Sequence, residues 1–439
     1  MKSKIKIGLI FSAIILIFYL IPGEKKALYD IITGEKMDNF KLVWPFSRYL
    51  LEPFVGFEEY IFSLYSYGFQ LISWISWIFI SVLIGCINRK NLKVADAIKY
   101  FLFSVLIFLS LITFTAIAPL PAPLLKTPPE YLKADFHAHT YYSFDTITSP
   151  HENLKFHQNN GYDFFFVTDH RGPRGFNSSA ELQTSGKAFP GMQIRALEGN
   201  ALLVLGDKNF DGKQFWGKTN KEIIELAHSK GLLVICPHWW KFRIPPIEQL
   251  YNDGVDGFEI YNFAYKNISE KERNKIIELC RQKNLLMVGV IDWHGWAWAG
   301  NVWTVIKKED DKIKTNPAEY LKNNRKTSVV VYKKSETQNR IRYIFEPFFG
   351  IYYYFSGINL LQSLIWILWI LFFLWASRFI REISIFLGAV FILSGIYYTV
   401  ISFSVEGNKT IMPLLVPILA VLGLGWFAVW GTNLRKNKQ

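Results

Sequence analysis

Asp135-Phe136-His137-Ala138-His139 decides how the rest of this chain is read. Side chains alternate with a period of two along an extended segment, so both imidazoles fall on one face. The same device, a short apolar run that delivers a ligand-type residue, recurs farther on. Phe164–Val167 is followed by Thr168-Asp169-His170, Ile194–Leu197 by Glu198, Leu232–Cys236 by Pro237-His238, and Leu285–Ile291 by Asp292-Trp293-His294. Helical stretches lie between, such as 150–160, opened by Ser149-Pro150, and 220–230, closed by Gly231. This pattern predicts a parallel α/β barrel whose functional groups gather at the C-terminal strand ends. All eight histidines lie between residues 137 and 294.

The flanks have a different character. The chain is 51% hydrophobic and 17% aromatic, above the share usual for a soluble protein, and the excess lies in residues 1–120 and 343–430. Apolar runs near 6–22, 69–88, 99–120, 358–377, 383–404 and 411–430 approach the ~20 residues that span a bilayer. The first follows Lys2, Lys4 and Lys6 and lacks a small-residue cleavage site, so it reads as a retained signal anchor. Three regions are expected: a membrane region at 1–125 with three helices and an outer interfacial segment, a water-soluble domain at 126–340, and a second three-helix membrane region at 341–439. Short loops carrying Lys2, Lys4, Lys6, Arg89, Lys90, Lys93, Lys99, Arg378, Arg381, Arg435, Lys436 and Lys438 fall on one side, opposed only by Asp96 and Glu382. That side reads as cytoplasm, which places the central domain outside. Most of the +13 net charge thus reflects topology, and no nucleic-acid partner is expected. Cys86, Cys236 and Cys280 are too widely spaced for a metal or redox motif and read as packing residues.

Residues 48–60, RYLLEPFVGFEEY, and 342–354, RYIFEPFFGIYYY, coincide at seven of thirteen positions. Trp74 and Trp77 match Trp366 and Trp369 after a two-residue slip. The chain reads as a duplicated membrane module with the soluble domain inserted between the copies. The aromatic copies suit the outer interface, either as a packing platform or as a lipid or substrate groove.

Together, the HAH at 137–139, the TDH at 168–170, the CPH ending at His238 and the DWH at 292–294 resemble the four histidine motifs of the PHP (polymerase and histidinol phosphatase) family of metal-dependent phosphoesterases. Gly257-Phe258-Glu259-Ile260-Tyr261-Asn262 is similar to a further family segment, and the resemblance covers roughly residues 130–335. It implies a distorted (βα)7 barrel, here inserted between two groups of transmembrane helices, and two or three divalent ions (Zn, Mn or Fe). It further implies one metal site at His137, His139, Glu198 and Asp292, another at His170, His294 and Asp145, and a bridge from Glu198 to His238. The sequence departs from the family twice. Phe144 stands where the family has an acid, with Asp145 one place later, and Ala201–Gly206 lacks the usual histidine.

His228 sits near a helix end and reads as a surface or helix-dipole residue. His151 and His157 read as surface or packing residues. Asp135 and Asp169 neighbour ligands and suit a carboxylate that holds an imidazole tautomer. Arg171, Lys241 and Arg243 follow ligand histidines and read either as phosphate-holding groups or as solvated loop charges. Trp239, Trp240, Trp293, Trp296 and Trp298 line a pocket or pack on the membrane interface. The expected activity is hydrolysis of a phosphorylated substrate by metal-activated water, on the outer face of a lipid bilayer, with Arg171, Lys241 and Asp169 as the catalytic set. The alternative is a catalytically silent metal- or ligand-binding sensor that signals through the helices.

Overall fold

The computed structural model describes residues 2–20, 27–62, 67–87, 93–170, 172–265, 268–296, 302–333, 344–404 and 412–436. Its strands are β1 (Ala27–Asp30), β2 (Lys41–Val43), β3 (Leu124–Lys126), β4 (Tyr131–Ala138), β5 (Phe164–Val167), β6 (Ala188–Arg195), β7 (Ala201–Leu205), β8 (Leu233–Cys236), β9 (Gly257–Asn262), β10 (Leu286–Val290), β11 (Val302–Lys307) and β12 (Thr327–Lys333). Ten of them form one curled sheet in the order β1-β12-β11-β4-β5-β6-β7-β8-β9-β10, and β2 with β3 forms a separate ribbon. The far strand returns toward β4: Asp292 N–H donates to His137 O at 3.0 Å, and His139 N–H to Trp293 O at 3.0 Å. Strand ends remote in sequence are thereby laid side by side.

A wholly parallel (βα)7 barrel was the expectation, and the sheet is mixed instead. Strands β4, β5 and β6 run parallel, as do β8, β9 and β10. Strand β7 is antiparallel to both neighbours, and β11, β12 and β1 close the other edge antiparallel. Chain length explains β7: five residues separate it from β6, enough for a hairpin and too few for a crossover helix. Gly199, at φ +94°, supplies the left-handed residue that this turn requires. Strand β1 comes from the segment read as a membrane region.

The parallel strands are buried on both faces, and Phe136, Phe164, Phe166, Leu203, Ile235, Val288 and Val290 fill the space enclosed by the sheet. Helices Pro150–Asn159, Asn220–Ser229 and Glu270–Lys283 each begin with a reciprocal capping box, Ser149/Glu152, Thr219/Glu222 and Ser269/Glu272. Two otherwise orphaned donors are satisfied at each start.

Among the described residues, Phe69–Ile87, Val94–Ile117, Leu360–Ile401 and Leu414–Gly431 are helical, long enough and apolar enough to span a membrane, and Gly8–Leu20 is a shorter apolar helix. The 42-residue stretch is interrupted by a 3-10 turn at Ser377–Phe379 that separates Leu360–Ala376 from Ile380–Ser404. Gly388 and Gly423 let the last two helices approach closely, and Trp426 Nε1 donates to Ser110 Oγ at 2.9 Å.

The two repeated segments clasp each other reciprocally. Helices Glu52–Phe62 and Glu346–Ser356 are the two copies. Tyr354 OH donates to Glu52 Oε1 at 2.5 Å and Tyr60 OH to Glu346 Oε1 at 3.0 Å. Gln362 Nε2 reaches Glu52 and Gln70 Nε2 reaches Glu346. Trp366 and Trp74 each donate to the tyrosine of their own copy at 2.9 Å, and Trp369 and Trp77 donate to Leu50 O and Ile344 O. A Cβ at Gly56 would overlap the Tyr354 ring, and one at Gly350 the Tyr60 ring. Gly56→Ala and Gly350→Ala are therefore each expected to destabilise the detergent-solubilised chain by about 1–3 kcal/mol, as overpacking does. Thermal melting checks this, and wild-type melting of both variants would contradict the reciprocal packing.

Candidate metal centre

Five imidazoles and two carboxylates converge at the C-terminal ends of the parallel strands. Strand β4 ends in His137 and His139, Asp145 follows in its loop, and His170 follows β5. His238 follows β8, and Asp292 and His294 follow β10. His137 and His139 are fully buried, Asp292 and His238 nearly so, and His294 is 9% exposed. His139, His170 and His294 bring ring nitrogens within 4.8 Å of one another, as do His137, His238 and Asp292 their donor atoms. Asp145 Oδ2 stands 3.2 Å from His170 Nε2 and 3.4 Å from His294 Nε2. The one-residue displacement of this acid is thus absorbed by the loop. Phe144, 37% exposed, stacks on the His170 ring with centroids 4.6 Å apart rather than entering apolar surroundings.

Hydrogen bonds fix which nitrogen of His139, His294 and His137 faces inward. Ser143 OH donates to Asp169 Oδ1 at 2.9 Å, so its oxygen accepts from His139 Nδ1 at 3.1 Å and leaves Nε2 with a lone pair. His294 Nδ1 donates to Asp292 O at 2.7 Å, which turns its Nε2 toward Asp145. His137 Nδ1 lies 2.7 Å from Glu259 Oε1, the carboxylate–histidine arrangement that orients a ligand's other nitrogen. The second Glu259 oxygen accepts from His238 N–H at 2.8 Å and Asn262 Nδ2 at 3.0 Å. His238 and Asp292 have φ of 26° and 57°, a region that residues other than glycine seldom adopt. The surrounding hydrogen bonds hold this strain at the site.

Glu198 does not join the cluster. Strand β6 begins at Ala188, earlier than the run Ile194–Leu197 suggested, and Glu198 falls in the hairpin beyond it. Its carboxylate accepts from the Asn220 N–H at the start of the helix Asn220–Ser229. The β6 side chain at the centre is Gln193, whose Oε1 lies 3.2 Å from His137 Nε2 and whose Nε2 lies 3.1 Å from His238 Nε2. Asp169 is not a pocket group either. It is buried and accepts from Thr140 N and Oγ1, Ser143 Oγ and Gly175 N, acting on His139 through Ser143. Asp135 holds the buried His157 ring at 3.1 Å rather than a cluster imidazole. Arg171 and Trp298 lie outside the described residues.

Lys241 lines the cavity over the cluster together with Arg195, Phe144, Phe242 and Tyr265. Its Nζ donates to Tyr265 OH at 2.6 Å. Gln193 and Arg195 are residues that the motif reading missed, and Glu259 lay in a segment it noted without assigning the residue a role. Counting two from Gln193 along β6 would have found Arg195. Trp239 and Trp240 are core residues, bonded to Pro245 O and Tyr265 O, and Trp293 stacks on Phe156. Trp296 stacks on His294 with centroids 6.0 Å apart. His228 pairs with Asp256 at 2.9 Å, and the exposed His151 pairs with Glu181.

Charge is balanced unevenly across the cluster. Burial alone would favour neutral His137, but Asp292 and Glu259 outweigh it and raise the ring to about 9. Burial and the neighbouring His294 hold His139 well below its ordinary value, and burial lowers His238 to about 3. For Asp145, burial is overcome by His170 and His294, which keep the carboxyl well below the usual range. Burial raises Asp169 to about 6 and lowers Lys241. A cation fits this donor set. His139 Nε2 and Asp292 Oδ1, buried and without hydrogen-bond partners, face each other at 3.3 Å; such orphaned acceptors are costly unless something positive lies between them.

No protein-family model matches the sequence, and no curated protein matches it. Among solved structures, the chain is similar to a two-domain protein containing a predicted PHP-like metal-dependent phosphoesterase from Bacteroides vulgatus: 20% identity, 50% of this chain, 69% of that one, TM-score 0.38. PsfC from Pseudomonas syringae shares 14% identity over 52% of this chain and 98% of its own, with a TM-score of 0.37. An amidohydrolase from Chromobacterium violaceum, with bound sulfate and no metal, shares 12% identity over 37% and 87%, with a TM-score of 0.31. Likenesses at this level carry no argument for activity, which rests on the motifs and the geometry.

A cation that takes the His137 Nε2 lone pair displaces a proton held up to about pH 9. Metal affinity should therefore rise with pH below that value, roughly tenfold per unit for one displaced proton. Titration calorimetry in buffers of different ionisation heat measures the release, and a pH-independent affinity would remove His137 from the ligand set. Glu259→Gln should weaken metal binding about 10–100-fold, measured as a dissociation constant by equilibrium dialysis.

Proposed function

We propose that this chain is a membrane-anchored, metal-dependent phosphoesterase whose catalytic domain lies on the non-cytoplasmic face. The observation that carries the hydrolase reading is the pair of orphaned lone-pair atoms, His139 Nε2 and Asp292 Oδ1, inside a shell that fixes the His137, His139 and His294 rings. His170, His294 and Asp145 would hold one divalent ion, and His137, His139 and Asp292 would hold another. Bound there, such ions supply the Lewis-acid chemistry that phosphate-ester hydrolysis needs.

The remaining work belongs to side chains of this chain. Lys241 and Arg195 present two cations on the cavity wall, suited to the non-bridging oxygens of a phosphate. Tyr265 holds the Lys241 ammonium from below, with Nζ 3.9 Å from the ring centroid and hydrogen-bonded to the hydroxyl. Phe144 and Phe242 supply an apolar wall for the organic part of the ester. Asp169 and Glu259 keep His139 and His137 in the tautomer that presents Nε2 inward. The likeness to PHP motifs agrees with this chemistry.

Helices at both ends that are long and apolar enough to span a bilayer support the membrane anchor. The concentration of basic residues in alternate short loops supports six spans with the central domain outside. Reporter fusions after Lys93 and after Lys133 should then give opposite signals, and two cytoplasmic signals would sink the orientation. On a panel of phosphate mono- and diesters, Asp292→Asn should lower kcat/KM by at least about 100-fold through loss of metal. Lys241→Met should act mainly on KM, by about tenfold, the worth of one charge-assisted hydrogen bond. Turnover unaffected by Asp292→Asn would leave the domain without this function.

A further inference from the structure

Gln193 lies between His137 and His238, and its chemistry limits what the centre holds. It is 6% exposed, with its carbonyl end against His137 Nε2 at 3.2 Å and its amide nitrogen against His238 Nε2 at 3.1 Å. A carboxylate in this place would offer two anionic oxygens, one to each flank. An amide offers one neutral acceptor and one donor. The donor end faces His238, whose lone pair therefore accepts a hydrogen bond. The acceptor end stays usable as a neutral ligand beside His137 and Asp292.

From this we infer that Gln193 closes the His238 flank to a metal ion and that Arg195 and Lys241 supply the positive charge that an ion would carry there. The inference rests on the metal-centre reading and goes on to fix its stoichiometry at two. Three further observations support it. Among the described residues, the carboxylates that face the cluster are Asp145 and Asp292, because Glu259 is consumed by His137, His238 and Asn262. Two divalent ions already exceed that anionic charge, and a third would be uncompensated in a buried site. Lys241 is only three residues from His238 in sequence, and it lines the same cavity wall as His238 and Arg195. Arg195 lies two residues after Gln193 on β6, so strand alternation brings both to one face. The strand that withholds the bridging anion thus delivers a guanidinium beside it, and the phosphate would be gripped on that side by side chains instead of a metal.

The test is metal content of the full chain in detergent after equilibrium dialysis against Mn2+, read by mass spectrometry. Wild type should hold about two ions per chain, and Gln193→Glu about three. Three ions in wild type, or no gain in a folded Gln193→Glu, would overturn the inference. Wild-type stoichiometry alone keeps it falsifiable if the variant does not fold. Binding of no Mn2+ by either protein would instead sink the metal-centre reading beneath it. In a second arm, inorganic phosphate is titrated into Mn-loaded protein. Arg195→Met and Lys241→Met should each weaken phosphate about tenfold with the Mn2+ count unchanged. Loss of Mn2+ in these variants would show that the two cations do not stand in for an ion.

Discussion

The Glu259 carboxylate, fully buried between His137 Nδ1 and the His238 N–H, is the interaction on which the centre depends. A carboxylate without partners in that position would cost several kcal/mol, so it is stable only while both neighbours stay where they are. In return it turns His137 Nε2 inward, holds the strained backbone at His238 in place, and draws Asn262 toward Asp292. Two strand ends are coupled through one side chain. A second such node, Asp169, fixes Thr140, Ser143 and Gly175 around His139. The inward donors are therefore positioned by partners that never face the cavity.

Much of this was legible in the sequence. Short apolar runs ending in His or Asp marked the strand ends correctly at His137, His139, His170, His238, Asp292 and His294, because a strand buried on both faces has a conspicuous hydrophobic signature. Strand β6 broke that rule. Its middle carries Pro190, Gly191 and Gln193, which interrupt the apolar pattern, so its end was read two residues late, at Leu197 instead of Arg195, and Glu198 was credited with the central place that Gln193 occupies. The closing antiparallel strands were also invisible. Which edge of a sheet a strand joins depends on pairing with distant chain, and β1 pairs with β12 across roughly 300 residues.

Membrane-facing segments told a different kind of story. Their helices could be placed from hydropathy alone, whereas the repeat said only that two pieces were alike. The structure adds how likeness is used: each copy donates hydrogen bonds to the other's buried glutamate. Aromatic residues that the repeat shares are spent on this mutual contact.

That reciprocity also sets a timetable. Glu52 is held by Tyr354 and Gln362, some 300 positions later, and the whole central domain is synthesised between them. At about 5–20 residues per second, a ribosome needs roughly 15–60 s to cover that distance. Throughout that interval Glu52 lacks the Tyr354 and Gln362 donors, and the edge strand β1 waits for a partner made about 300 residues later. A chaperone or a neighbouring lipid headgroup that shields the early half would thus matter most during translation, and truncation before Tyr354 would leave a product with its membrane seam open.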